Sequence, residues 1–210
     1  MSDSSIEGRF TRIFKTNAWR CDESVSGPSS TLARTQTLRA ALPELFESHG
    51  IRSMLDAPCG DFNWMRHVVE GADLRYTGAD IVQDLVQRNA EAFAHLDNVG
   101  FVHVDLTRDA LPQADLMLCR DCLFHLSYED TERALANFLD SGIPYLLTTT
   151  HLNKNGFSNR DIASGDWRWM DLFEAPYLFP REVSWRVVDG GGDREMCLWS
   201  RDQVPRRLQR

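Results

Sequence analysis

The chain has 210 residues, 42% of them hydrophobic, and its 23 basic and 31 acidic residues give a formal charge of −8. That is enough apolar material for one substantial core and short for two domains. The acidic balance excludes nucleic acid as an expected partner, because phosphate contacts need clustered Lys and Arg.

Met1 to Arg9 carry polar and acidic groups where a signal peptide needs an apolar stretch. No run approaches the roughly 20 apolar residues that cross a bilayer, so no membrane partner is expected and the reading places the chain in the cytoplasm. The five cysteines are scattered singly, as befits reduced thiols rather than a disulfide framework. Cys119 and Cys122 form a CxxC late in the chain, where neither redox nor zinc chemistry is expected.

In chain order, residues 1–30 read as an irregular polar arm whose Phe10, Phe14 and Trp19 pack in part onto the domain. From Thr31 to His49, Leu38, Leu42, Leu45 and Phe46 recur at helical spacing. Then strand and helix alternate. Strands are predicted over 53–57, 74–79, 99–104, 115–119 and 144–150, and helices over 63–69 and 82–96. Ser127 and Asp130 form a capping box for a further helix, which carries Leu135, Phe138 and Leu139 and ends at Gly142. This order implies an α/β fold with a mainly parallel sheet and helices on both faces.

The 151–181 stretch is a long insert rich in Asn, Asp and Trp. Strands over 184–189 and 194–200 follow, joined through Gly190, Gly191 and Gly192. So short a link permits an antiparallel hairpin and no parallel crossover, making the sheet mixed. The 201–210 stretch reads as a solvated basic tail. Residues 31–200 therefore form a single domain.

Ligands of open α/β sheets lie beyond the carboxyl ends of the strands. There the first turn reads Asp56-Ala57-Pro58-Cys59-Gly60-Asp61, with one glycine between two carboxylates. A pyrophosphate would be repelled there, whereas a ligand bearing an ammonium and a sulfonium would be accommodated. Asp80, at the end of the second strand, is placed for ribose hydroxyls, and Asp105, after the third, for an adenine amino group.

With Tyr76-Thr77-Gly78-Ala79-Asp80-Ile81, Val104-Asp105-Leu106 and Asp115-Leu116-Met117-Leu118-Cys119-Arg120-Asp121, the chain resembles the class I S-adenosylmethionine-dependent methyltransferases. The resemblance covers about residues 51–200. It implies a Rossmann-like seven-stranded sheet of order 3-2-1-4-5-7-6, with strand seven antiparallel. It also implies S-adenosyl-L-methionine as cofactor and S-adenosyl-L-homocysteine as product. Asp56 and Gly60 would surround the methionine part, Asp80 the ribose and Asp105 the adenine, with the carbonyls near Cys119 and Arg120 facing the amino group. Ala57, Pro58, Cys59, Asp61, Trp64, Ile81 and Leu106 complete the expected lining. Pro58 and Cys59 stand where the family usually has glycine-loop residues.

On the acceptor side, His125 and His151 follow strands four and five and are candidate general bases, with Asp121 able to orient His125. No metal is expected, since Asp121, His125 and His151 lack a tight ligand spacing. The insert reads as a lid that offers Asp166, Trp167 and Arg168 to the acceptor, joined by Trp19 and Glu23 from the arm. The function expected is methyl transfer by direct displacement to a small polar acceptor, sugar-like molecules being one fitting class. The alternatives are a macromolecule methyltransferase and a noncatalytic sensor of adenosyl ligands.

Overall fold

A computed structural model of the protein describes residues 5–209. Met1 to Ser4 of the expected arm, and Arg210 of the expected tail, lie outside the described residues. The helices are α1 (Ile6–Thr16), α2 (Gln36–His49), α3 (Arg66–Val69), α4 (Gln83–Ala92) and α5 (Tyr128–Ser141). The strands are β1 (Ser53–Asp56), β2 (Arg75–Asp80), β3 (Val99–His103), β4 (Leu116–Cys119), β5 (Tyr145–His151), β6 (Trp185–Asp189) and β7 (Arg194–Ser200). They form one sheet of order β3-β2-β1-β4-β5-β7-β6. The pairs among β1 to β5 are parallel, and β7 runs antiparallel to both β5 and β6.

Alternation along the strands divides the core between the two faces. Met54, Leu116, Leu118, Leu147 and Leu198 pack beneath α2, whose Leu38, Leu42, Leu45 and Phe46 recur on one stripe. Leu55, Met117, Leu146 and Trp199 face the other way, toward Leu135 and Phe138 of α5. Gly50, in the left-handed region at φ 64°, closes α2 and turns the chain into β1.

Several expectations need correction. The arm is not irregular, because Ser5 caps α1 by accepting from the Gly8 N–H at 3.0 Å. Ile6, Phe10 and Phe14 recur every four residues along one side of that helix. The helix predicted over 63–69 shrinks to α3, since Phe62 sits at φ 58° and the chain first makes turns. The tail is docked instead of solvated: Val204 and Leu208 are buried, and the Gln209 N–H donates to the Pro176 carbonyl at 2.8 Å. The insert is core as well as loop, because Met170, Leu172 and Tyr177 are fully buried beside α5.

Candidate active site

Beyond the carboxyl ends of β1, β2 and β4 lies a cleft. Asp56, Pro58, Cys59, Gly60 and Trp64 of the first turn line it, with Asp80 and Ile81 of the second and Asp105 and Leu106 of the third. Arg120, Asp121 and His125 complete it after β4.

Backbone bonds shape the first turn. The Ala57 N–H donates to the Leu118 carbonyl at 2.9 Å and the Cys59 N–H to the Ala79 carbonyl at 2.8 Å, so Ala57 braces the loop from behind the cleft wall. Gly60 sits at φ 56°, and a Cβ there would overlap the Ser26 hydroxyl, so only glycine fits. Its N–H donates to Asp80 Oδ2 at 3.1 Å, and Asn89 Nδ2 donates to its carbonyl at 2.7 Å.

The acids of the cleft differ in state. Asp56 is buried, accepts from the Tyr76 hydroxyl at 2.8 Å, and is pushed up to about 7 by desolvation, against the pull of Tyr76 and Arg120. Burial also raises the pKa of Asp80, whose Oδ1 accepts the Val82 N–H at 3.0 Å. Asp105 Oδ1 accepts from the Thr107 N–H at 2.9 Å and hydroxyl at 2.7 Å, while Oδ2 lies 3.4 Å from Arg108 Nε.

Arg120 is the cleft's buried cation. Its Nε donates to Asp189 Oδ2 at 2.8 Å, Nη2 donates to the Ser29 carbonyl at 3.0 Å, and Nη1 lies 3.3 Å from Asp121 Oδ2. The guanidinium sits 5.3 Å from the centroid of Trp64. Arg194 closes the network 3.3 Å from Asp121 Oδ2, tying the end of β4 to the β6–β7 hairpin. Asp121 is therefore held at φ 53° by two arginines, and its N–H donates to Thr149 Oγ1 at 2.9 Å.

His125 is oriented by the insert and not by Asp121. Its Nδ1 lies 2.8 Å from the Asp166 carbonyl oxygen, which only accepts, so Nδ1 carries the proton and Nε2 holds the lone pair of the neutral ring. Desolvation lowers its pKa below the ordinary histidine range. Trp19 packs over it, the ring centroids 5.7 Å apart.

The remaining sequence candidates lie off the cleft wall. His151 is buried among Phe124, Trp167 and Trp169, accepts the Met170 N–H at 3.2 Å, and is pushed down to about 4 by burial and Arg194. Asp61 turns toward the arm, accepting from the Ser24 hydroxyl at 3.0 Å, the Val25 N–H at 2.9 Å and the Ser26 hydroxyl at 3.2 Å. Cys119 is buried, and its carbonyl accepts from Thr148 Oγ1 at 2.7 Å. Glu23 Oε1 takes the Leu32 N–H at 2.6 Å and Asn63 Nδ2 at 3.0 Å, so it pins the arm. Arg168 is wholly buried between Tyr128 and Tyr177 and offers no charge to an acceptor. Trp167 remains exposed, as does the side chain of Asp166.

The sequence reading missed Ile6, Phe10 and Phe14 of α1, and Val25, Ser26 and Ser30 of the following segment, all on the cleft wall. The four-residue apolar repeat before Thr16 was the available signal. Among the described residues no group of three or more His, Cys, Asp or Glu is arranged to hold a metal ion.

The sheet order, the antiparallel β7 and the cleft over β1 to β4 define the class I S-adenosylmethionine-dependent methyltransferase fold. The chain has this fold, and residues 54–141 match the sequence model of a family described as a methyltransferase domain. No curated protein sequence matches it.

Among solved structures it resembles TnmH at 18% identity and a TM-score of 0.61, over 79% of this chain and 54% of that one. It resembles the N-methyltransferase NodS from Bradyrhizobium japonicum WM9, in complex with S-adenosyl-L-homocysteine, at 15% identity and a TM-score of 0.61, over 91% and 97%. The magnesium protoporphyrin IX methyltransferase ChlM from Synechocystis PCC 6803, with the same product bound, aligns at 13% identity and a TM-score of 0.60, over 91% and 92%. The chain thus spans about half the length of TnmH and nearly all of the other two. At these identities the likeness is one of fold.

Proposed function

We propose that the protein binds S-adenosyl-L-methionine in this cleft and methylates a hydroxyl of a small polar, sugar-like acceptor, leaving S-adenosyl-L-homocysteine. The lining fits the cofactor: Asp56, Asp80, Asp105 and Asp121 outnumber the single Arg120, a balance that suits a ligand with ammonium and sulfonium charges and repels a diphosphate. Two solved relatives are described with the demethylated product bound, which supports the same reading.

When bound, the cofactor supplies an electrophilic methyl group for direct displacement. The chain itself orients the acceptor, keeps water away, and takes the acceptor's proton on His125 Nε2. The observation that carries this reading is the Asp166 carbonyl on Nδ1, which leaves Nε2 unprotonated on a ring that lines the cleft. Trp167 and Trp169 alternate with buried Arg168 and Met170, so both indoles face outward, 4.9 Å apart and at 74° to each other, directly after the Asp166 carbonyl that holds His125. Such aromatic faces with nearby polar groups suit a sugar ring. No helix among the described residues is long and apolar enough to cross a membrane.

Calorimetry with S-adenosyl-L-methionine, S-adenosyl-L-homocysteine and NAD tests the cofactor assignment, and preference for NAD would refute it. Release of S-adenosyl-L-homocysteine across a panel of hydroxylated acceptors then tests the reaction. His125→Gln should lower turnover by about 10² to 10⁴ with cofactor affinity retained, the range of a positioned base. Binding without turnover on any small acceptor would favour a sensor or a macromolecular target.

A further inference from the structure

His125 sits in a single turn of 3-10 helix, Leu123–His125, and one stretch of the insert, Gly165 to Arg168, bonds to every residue of that turn. Arg168 Nη2 donates to the Leu123 carbonyl at 3.3 Å, the Arg168 N–H to the Phe124 carbonyl at 3.2 Å, and the Gly165 N–H to the His125 carbonyl at 2.7 Å. The Asp166 carbonyl takes the Nδ1 proton at 2.8 Å.

What fastens this stretch is the Arg168 side chain. Its guanidinium lies 4.9 Å from the Tyr128 ring centroid and 5.8 Å from that of Tyr177. Nη2 also donates to Thr131 Oγ1 at 3.3 Å, and Nη1 to the Arg160 carbonyl at 3.4 Å. The nearest carboxylate oxygen, Asp161 Oδ1, is 3.6 Å from Nη1 and belongs to an exposed side chain. A buried cation held mainly by carbonyls, a hydroxyl and aromatic faces is costly to assemble. Tyr128 and Thr131 lie in the first turns of α5, directly after the His125 turn, so the guanidinium locks insert, α5 and turn together.

We propose that Arg168 is a positioning residue: it seats the 165–168 stretch so that the Asp166 carbonyl holds His125 in the Nδ1–H tautomer, with Nε2 free toward the acceptor. The proposal rests on the reading of His125 as base, but its test does not. The charged groups acting on this imidazole are Asp121 after β4, Arg194 of β7 and Arg168 itself, and the Trp19 ring covers it from the arm.

The test is ¹⁵N NMR of full-length protein labelled at histidine, with the His125 signals assigned by their loss in His125→Gln. Wild type should show a protonated Nδ1 and an unprotonated Nε2 at neutral pH, titrating below the ordinary value of about 6.5. Arg168→Lys keeps a cation between the tyrosines and loses the fork; Arg168→Gln keeps a donor and loses the charge. Both should bring in the Nε2–H tautomer, because the Asp166 carbonyl no longer holds the Nδ1 proton, while S-adenosyl-L-methionine affinity changes less than about threefold, well short of the tenfold that 1.4 kcal/mol represents. An Nε2–H tautomer in wild type, wild-type signals in folded variants, or loss of fold in both variants would overturn the proposal. Failure of His125→Gln to slow turnover would instead refute the base reading and leave the positioning result standing.

Discussion

Asp56 and Asp61 close the same loop, yet one is desolvated against Tyr76 and the other is consumed by hydrogen bonds to the arm. Their environments assign different tasks. Because Asp56 titrates near about 7, much of it is protonated in slightly acidic solution. A cationic cofactor favours its charged form, so binding should release a proton, and affinity should rise as the pH climbs through that value. Calorimetry at pH 6 in buffers of different ionisation enthalpy should detect the proton, and Asp56→Asn should abolish it. His151 behaves in the opposite sense. Its folded-state value of about 4 lies below the unfolded one, so the neutral ring contributes fully above about 6.5 and loses stability as the pH falls toward 4. In denaturant titrations, the stability advantage of wild type over His151→Gln should narrow by about 2 kcal/mol between pH 7.5 and 5, from roughly 1.4 kcal/mol per pH unit below 6.5.

At the scale of elements, the insert and the segment after α1 act as braces. Asp61 gathers Ser24, Val25 and Ser26 over the first turn, and the Ser26 hydroxyl donates back toward Asp61 while receiving the Asp61 N–H at 2.9 Å in the same cluster. Asp61→Ala should cost about 1 to 3 kcal/mol for donors left without an ionic acceptor. It should also open residues 20–30 to limited proteolysis before the sheet unfolds. The insert resists the lid interpretation: excising 155–169 would remove buried Arg168 and the Asn159 side chain, which donates to the Asp171 carbonyl at 2.8 Å and accepts the Asp171 N–H at 2.9 Å. Such a deletion should abolish the cooperative thermal transition, whereas a mobile lid would leave a folded cofactor-binding domain.

For the whole molecule, α1 has an unequal relation to fold and site. It buries no residue completely and is tied down by Lys15 to Asp84 at 2.9 Å, Glu7 to His103 at 3.6 Å, and Arg9 Nη1 donating to the Ser164 carbonyl at 2.7 Å. Exposed pairs of this kind contribute about 0 to 1 kcal/mol each. Its Ile6, Phe10 and Phe14 nevertheless wall the cleft. Removing residues 1–16 should therefore leave the melting temperature nearly unchanged and weaken S-adenosyl-L-methionine binding about tenfold, or ~1.4 kcal/mol. Paired melting and calorimetry would check this, and equal losses in both would make α1 part of the fold's core.

Local spacing was enough to determine the alternation of strand and helix, the α2 stripe of Leu38, Leu42, Leu45 and Phe46, and the antiparallel hairpin at Gly190 to Gly192. Each depends on residues close in the chain. The strand order followed from the resemblance to a family, carried by acids at successive strand ends. Only the tertiary structure decided which charges face the cleft. Asp61 meets Ser26 across 35 positions, Arg168 meets Leu123 across 45, and Arg9 reaches Ser164 across 155. A polar side chain taken out of water goes to whichever partner the fold brings within about 3 Å, and no periodicity in the sequence records that choice. That is why Arg168 reads as an acceptor ligand in the sequence and stands in the structure as the anchor of the turn that carries His125.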